Sequence, residues 1–209
     1  MKGEEVVEYI KDSIIRGRYS AGEKIVEVKV CKDLGLGRSI VREALRHLEQ
    51  EGFIDRIPHA SPTVKGLSQR DIVQIYDLLG VLEGLSMRIA TPTITDKDMK
   101  EIETLINRME QKQNSALKIY QSNMTFHKLL TELGGNTRLI AFSNSLREQA
   151  RRMSLQSFYN PEQIASSIVE HREILDAVKE RKPKHVETLI REHYLSAKNR
   201  LIRHINATL

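Results

Sequence analysis

DLGLGRSIVREALRHLEQEGFI, residues 33 to 54, decides how this chain is read. Val41, Ala44, Leu45 and Leu48 recur at helical spacing as one apolar stripe, while Ser39, Arg42 and Arg46 fall roughly opposite on a wheel of about 3.6 residues per turn. One face packs on a core; the other offers arginines to a polyanion. Upstream, Glu27 to Leu34 reads as a short helix, and Gly35-Leu36-Gly37 as a tight turn joining two helices at a steep angle. Downstream, Gly52 ends the helix, Phe53 to Ile57 reads as one strand and Thr63 to Lys65 as its partner, with Pro58-His59-Ala60-Ser61-Pro62 as the tip. Helix, turn, helix, hairpin is the order of a winged helix-turn-helix. Arginines also decorate ordinary solvated helix faces, so the order of parts, more than any single residue, points to DNA.

Composition bounds the remainder. The chain has 209 residues, 40% of them hydrophobic, enough for one or two domains with buried cores. Net charge is +5, yet residues 1 to 66 hold 12 Lys or Arg against 11 Asp or Glu, a balance of +1. Affinity for DNA must therefore rest on where charges sit, not on bulk charge. The single cysteine, Cys31, excludes an intramolecular disulfide framework and fits a reducing cytoplasm. No apolar run approaches the ~20 residues of a membrane span, and Glu4 and Glu5 are unlike a signal peptide. A soluble cytoplasmic protein without a membrane partner is expected.

Near Lys65-Gly66-Leu67-Ser68 the strand signal stops and a helical regime begins. Six helices are predicted, over residues 69–90, 96–113, 116–133, 136–158, 161–181 and 184–207, separated by Thr91-Pro92, Gly134-Gly135, Pro161 and Pro183. The expected fold is mostly α: a winged helix-turn-helix domain at 1–66, a linker at 67–70, and an all-α antiparallel helical bundle at 71–209.

Three of the chain's seven histidines, His127, His171 and His193, lie in these helices with apolar neighbours on the same faces. Such histidines often serve simply as core residues. Spacing favours convergence, however. His171 stands 12 residues before Pro183 and His193 stands 10 after it. At ~1.5 Å per residue, antiparallel helices turning there would set them ~18 and ~15 Å from the turn, at nearly equal height. Asn123 precedes His127 by one turn, so one helix can offer an amide oxygen and an imidazole to the same point. Three imidazoles and an oxygen suit a divalent transition metal, Zn or Ni foremost.

GRSIVREALRHLEQEGFI resembles the recognition segment of the GntR family of bacterial transcriptional regulators, whose usual form is close to S-R-T-P-V-R-E-A-L-R-x-L-E-x-E-G. The resemblance spans about residues 6 to 65, with IIRGRYSAGEKIVE similar to the segment that precedes the reader. Residues 71 to 209 resemble the all-helical FCD effector domain of the FadR subfamily: NMTFH ahead of GGN, then HREILDAV, then His193. The resemblance implies groove and phosphate contacts by Arg38, Ser39 and Arg42, with Ile40 the most changed position, Arg46 on the DNA backbone and His59 at the wing. It implies a metal held by Asn123, His127, His171 and His193, and a homodimer on a palindromic, double-stranded operator. It also implies a small carboxylate effector.

The departures have consequences. Gly37, Ile40 and Ala60 stand where relatives carry Ser, Pro and Gly, so the operator should differ from the family's commonest ones. Asn123 replaces an aspartate; being neutral, it would leave a divalent ion its full +2, weakening metal affinity and strengthening the pull on an anion. Leu79 replaces a frequent arginine, and Arg88, Arg147, Arg151 and Arg152 are candidates to neutralise the effector's carboxylate in its stead. Two alternatives stand beside this reading: a metal-free regulator of the same kind, and a nonspecific DNA binder. A three-histidine metalloenzyme is more distant, because no H-E-x-x-H, phosphate loop or nucleophile elbow accompanies the histidines.

Overall fold

The computed structural model describes residues 3–15, 18–20, 22–56, 60–65, 68–111, 116–157 and 161–208. It divides into two compact units, Met1–Ser68 and Gln69–Leu209. The first contains α1 (Gly3–Ile15), α2 (Glu27–Leu34), α3 (Arg38–Gln50), β1 (Ile54–Asp55) and β2 (Thr63–Val64). Its core joins Val6, Ile10 and Ile14 of α1 to Val41, Leu45 and Leu48 of α3, with Ile25 and Ile54 closing the end. Those α3 residues are the stripe read from the sequence. Gly35 ends α2 at φ 66°, a left-handed conformation that side chains disfavour, and its N–H returns to the carbonyl of Cys31. Lys11 of α1, only 5% exposed, crosses to Glu51 just beyond α3 at 2.5 Å.

The hairpin is shorter than predicted. Among the described residues Ile54 pairs with Val64 and Asp55 with Thr63, and Lys65 N donates to the Phe53 carbonyl at 2.9 Å beside them. On its other edge β2 meets the segment before α2: the Pro62 carbonyl accepts from Ile25 N at 2.7 Å, and Lys24 bridges Thr63. Pro62 has no N–H with which to extend the pairing to β1.

The second unit comprises α4 (Gln69–Ala90), α5 (Asp96–Glu110), α6 (Ala116–Leu133), α7 (Thr137–Ser157), α8 (Pro161–Lys179) and α9 (Pro183–Thr208). Gln69 and Arg70, assigned from the sequence to a linker, form the first turn of α4. Thr95 and Asp98 cap α5 reciprocally, and the extended Gln111 ends it three residues earlier than expected. Asn136 lies outside α7 and caps it, its side chain accepting from Leu139 N at 3.1 Å. Pro183 opens α9 at the one position where a missing N–H costs nothing.

Helix α4 packs directly on α9, and glycine makes the close contact feasible. A Cβ on Gly80 would lie 3.1 Å from the Tyr194 Cβ, and one on Gly84 would lie 3.2 Å from Glu187. The turn after α6 is tighter still. A Cβ on Gly134 would sit 2.9 Å from the Ser86 Cα and 2.8 Å from its carbonyl oxygen, while the Ser86 hydroxyl donates to the Thr131 carbonyl at 2.7 Å. Backbone on both sides leaves little room to yield. Gly134→Ala should therefore destabilise the protein by roughly 1–3 kcal/mol, read as a lowered Tm; an unchanged Tm would contradict this packing.

Candidate functional site

The outward side of α3 carries Arg38, Ser39, Arg42 and Arg46, all exposed, with Ile40 half-buried at its edge. Arg38, Arg42 and Arg46 follow one another at i, i+4 and i+8 and so form a row along one helix face. Arg42 donates from Nε to Glu27 Oε2, on the first residue of α2, at 2.9 Å. Among the described residues, Arg38 and Arg46 have no ion-pair partner. His59 lies outside the described residues.

In the helical unit, α6, α8 and α9 bring His127, His171 and His193 together. Their candidate ligand atoms all lie within 4.8 Å of one another, and all three residues are buried. The rings are in mutual contact, with the His171 and His193 centroids 4.7 Å apart. Asn123 is buried beside them and, with Leu79, His127, Arg147, His193 and Arg200, lines a cavity with about 60 Å³ open to water. The equal-height argument about Pro183 thus describes the actual placement of His171 and His193.

Carboxylates orient two of these rings. His127 Nδ1 donates to Glu83 Oε1 at 2.8 Å, and His193 Nδ1 donates to Glu170 Oε2 at 2.6 Å. Each bond places the ring proton on Nδ1 and leaves the Nε2 lone pair free, as in carboxylate–histidine–metal triads. His171 is different: both ring nitrogens are buried without a hydrogen-bond partner. A buried orphan of this kind is costly unless something outside the protein's own hydrogen bonds satisfies it. Burial also holds the His127 and His171 imidazoles below the ordinary histidine range, so both are neutral near pH 7. Neutral imidazoles, free lone pairs and an unsatisfied third ring fit a divalent transition metal.

Burial alone would raise the Glu83 carboxyl, but hydrogen bonds from His127 and Arg147 and the charge of Arg147 outweigh it and hold the group below the usual carboxylate range. The Arg147 guanidinium reaches Glu83 Oε2 at 2.7 Å, and Tyr194 donates its hydroxyl to the same oxygen at 3.0 Å. Burial likewise opposes Glu170, yet hydrogen bonds from Arg200 and His193 bring it to about 2. Arg200 grips Glu170 through both terminal nitrogens, at 2.6 and 2.9 Å.

The arginines suggested as carboxylate partners separate clearly. Arg147 lines the cavity, with Nη2 committed to Glu83, the His127 carbonyl and Thr131, and with Nε buried and unpaired. Arg88 does not reach the cavity: it is half-exposed and pairs with Glu187 at 3.1 Å, because its position on α4 faces outward. The side chains of Arg151 and Arg152 lie outside the described residues. Sequence reasoning missed Glu83, Glu170, Tyr194 and Arg200. Glu170 and Tyr194 each adjoin one of the clustered histidines in sequence, so two of the four were within reach.

The comparisons with known proteins agree with this division. The pattern of "Bacterial regulatory proteins, gntR family" matches residues 2–64, and that of the FCD domain matches residues 74–196. The HTH-type transcriptional regulator YdhC of Bacillus subtilis (strain 168) is 24% identical, covering 88% of this chain and 84% of its own. The "Glc operon transcriptional activator" of Escherichia coli (strain K12) is 26% identical over 95% of this chain and 88% of its own. Among solved structures, E. coli McbR/YncC superposes with a TM-score of 0.81 at 19% identity, over 97% of this chain and 98% of that one. A GntR regulator from Rhodococcus sp. RHA1 gives 0.80 at 18% identity, over 96% and 97%. These relatives are regulators, not enzymes, and the chain belongs to the GntR family of bacterial regulatory proteins, as a DNA-binding transcriptional regulator with an FCD domain.

Proposed function

We propose that this regulator binds a palindromic operator as a homodimer and responds to a small carboxylate held beside a divalent metal ion in its helical unit. The observation that carries the reading is the buried convergence of His127, His171 and His193, with both nitrogens of His171 left without a partner. In this reading His127 and His193 offer Nε2, His171 offers one ring nitrogen, and Asn123 adds a neutral oxygen. A bound divalent ion supplies a positive centre that attracts carboxylate oxygens.

The chain's own charges support an anionic effector. Around the cavity Glu83 is balanced by Arg147 and Glu170 by Arg200, while His127, His171 and Asn123 are neutral. Among the described residues of the cavity these pairs leave no unpaired carboxylate to cancel a divalent ion, which favours an anion in that role. The Arg147 Nε faces no acceptor and is available to orient that anion. A volume of about 60 Å³ admits a few waters, hence an acid of few heavy atoms.

On the DNA side, the exposed α3 row supports Arg42 and Arg38 as base readers and Ser39 and Arg46 as backbone contacts, with Ile40 at the groove edge. His59 is proposed for the wing from the sequence resemblance alone. Homodimers suit operators whose half-sites lie about one turn, ~34 Å, apart. The exposed Leu78, Val81 and Ile89 on one side of α4 favour self-association through the helical unit. Linkage requires only that the effector bind the DNA-competent and incompetent arrangements unequally.

Metal analysis of the purified protein should give close to one divalent ion per chain, lost in the His127/His171/His193 triple alanine variant. No metal in the unmodified protein would overturn the metal reading. Arg42→Ala should abolish sequence-specific mobility shifts while leaving Tm unchanged; retained operator affinity would remove Arg42 from the interface. Metal-stripped protein should also lose stability as pH falls from 7 toward 5. The unfolded chain takes up protons at His127 and His171 near 6.5, whereas the fold keeps both neutral to lower pH. Each contributes up to about 1.4 kcal/mol per pH unit there, and a flat Tm over this range would contradict neutral, buried imidazoles.

A further inference from the structure

Of the three arginines along α3, one is tethered. Arg42 Nε donates to Glu27 Oε2 at 2.9 Å, a bond between residues 15 apart that crosses from α3 to the first turn of α2. The Arg42 side chain is 61% exposed and Glu27 is 22% exposed, so the contact sits at the rim of the reading face with the acid on its inner side. Among the described residues, nothing occupies the two terminal nitrogens of Arg42. The guanidinium is therefore held at its neck while its outer donor pair stays open.

That geometry matters because the two kinds of DNA contact make different demands. A phosphate contact tolerates a mobile cation, whereas bidentate bonding to guanine O6 and N7 needs a planar fork at fixed height and angle. A long, exposed arginine otherwise loses much rotamer freedom on docking, and holding it in place beforehand removes part of that cost. Among the described residues Arg38 and Arg46 have no such tether, so Arg42 alone of the row is aimed in advance. We propose that Glu27 is a positioning residue for sequence discrimination: it aims Arg42 at a base edge, and its negative charge beside the row discourages nonspecific phosphate binding. This rests on the reading of the α3 face as the DNA contact. An acid in the first turn of α2 also complements the helix dipole, but that role does not require reaching α3.

The test uses the full-length protein and a duplex selected by it from a randomised library, a set of single-base variants of that duplex, and poly(dI-dC) as nonspecific DNA. Arg42→Ala identifies the base pair that Arg42 reads, as the position where preference disappears. At that pair Glu27→Ala should lose about tenfold in discrimination, with unchanged or higher affinity for poly(dI-dC) and an unchanged Tm. Glu27→Gln keeps an acceptor for Nε and should retain most of the discrimination. Glu27→Ala with full discrimination overturns the proposal alone, as does Glu27→Gln failing as badly as Glu27→Ala. A lowered Tm with specific and nonspecific binding falling together assigns Glu27 to folding and overturns it too. If Arg42→Ala leaves every base preference intact, the base-reading assignment and the proposal fall together.

Discussion

One buried carboxylate organises the helical unit. Glu83 has no exposed surface and sits at the middle of α4, where it accepts from His127 of α6, Arg147 of α7 and Tyr194 of α9. A lone carboxylate in such a place would be prohibitively costly; with three donors from three helices it becomes a joint. Removing Arg147 leaves the charge without compensation, and removing His127 or Tyr194 leaves a carboxylate oxygen short of a donor, so the four helices are bound to a single arrangement around the histidines. The second joint, Glu170 between His193 and Arg200, does for α8 and α9 what Glu83 does for the others. The cavity is thus framed by two ion pairs of equal and opposite charge, and its walls are neutral without being apolar.

The two units use charge in opposite ways. In the helical unit, charge is buried, paired and fixed. In the winged unit the nominal balance is nearly even, and what counts is that arginines at i, i+4 and i+8 share one exposed face. Lys11 is the exception there, a buried cation committed to Glu51 and lying 5.5 Å from the centre of the Phe53 ring, where it fixes α1 against the end of α3. A small domain that must present arginines outward keeps its inward lysine for architecture.

How much of this was legible in the sequence depends on the range of the interaction. Helical periodicity is local, so α2, α4 and α6 came out with their bounds correct, and the α3 stripe named its own buried residues. Helix ends that hinge on one backbone choice, such as the extended Gln111 or the capping Asn136, did not. The hairpin's second neighbour, the segment before α2, was not legible because that pairing is nonlocal. The histidine cluster was legible because a proline-centred hairpin imposes a height rule on the residues either side of it. Glu83 was not, since nothing in YDLLGVLE says that a charged residue there turns inward to meet partners 44, 64 and 111 residues away. Arg88, five residues on, shows how easily the inward and outward faces of α4 are confused.

The glycines of α4 give the site a dimension set from behind. Gly80 does not line the cavity, yet the distance it permits between α4 and α9 fixes how far Tyr194, and with it the neighbouring His193, stands from the opposite wall. A single methyl group at position 80 would press on Tyr194 and shift that wall by tenths of an ångström without altering any residue a ligand touches. The spacing of two helices can therefore change the shape of the cavity while every residue that lines it stays the same.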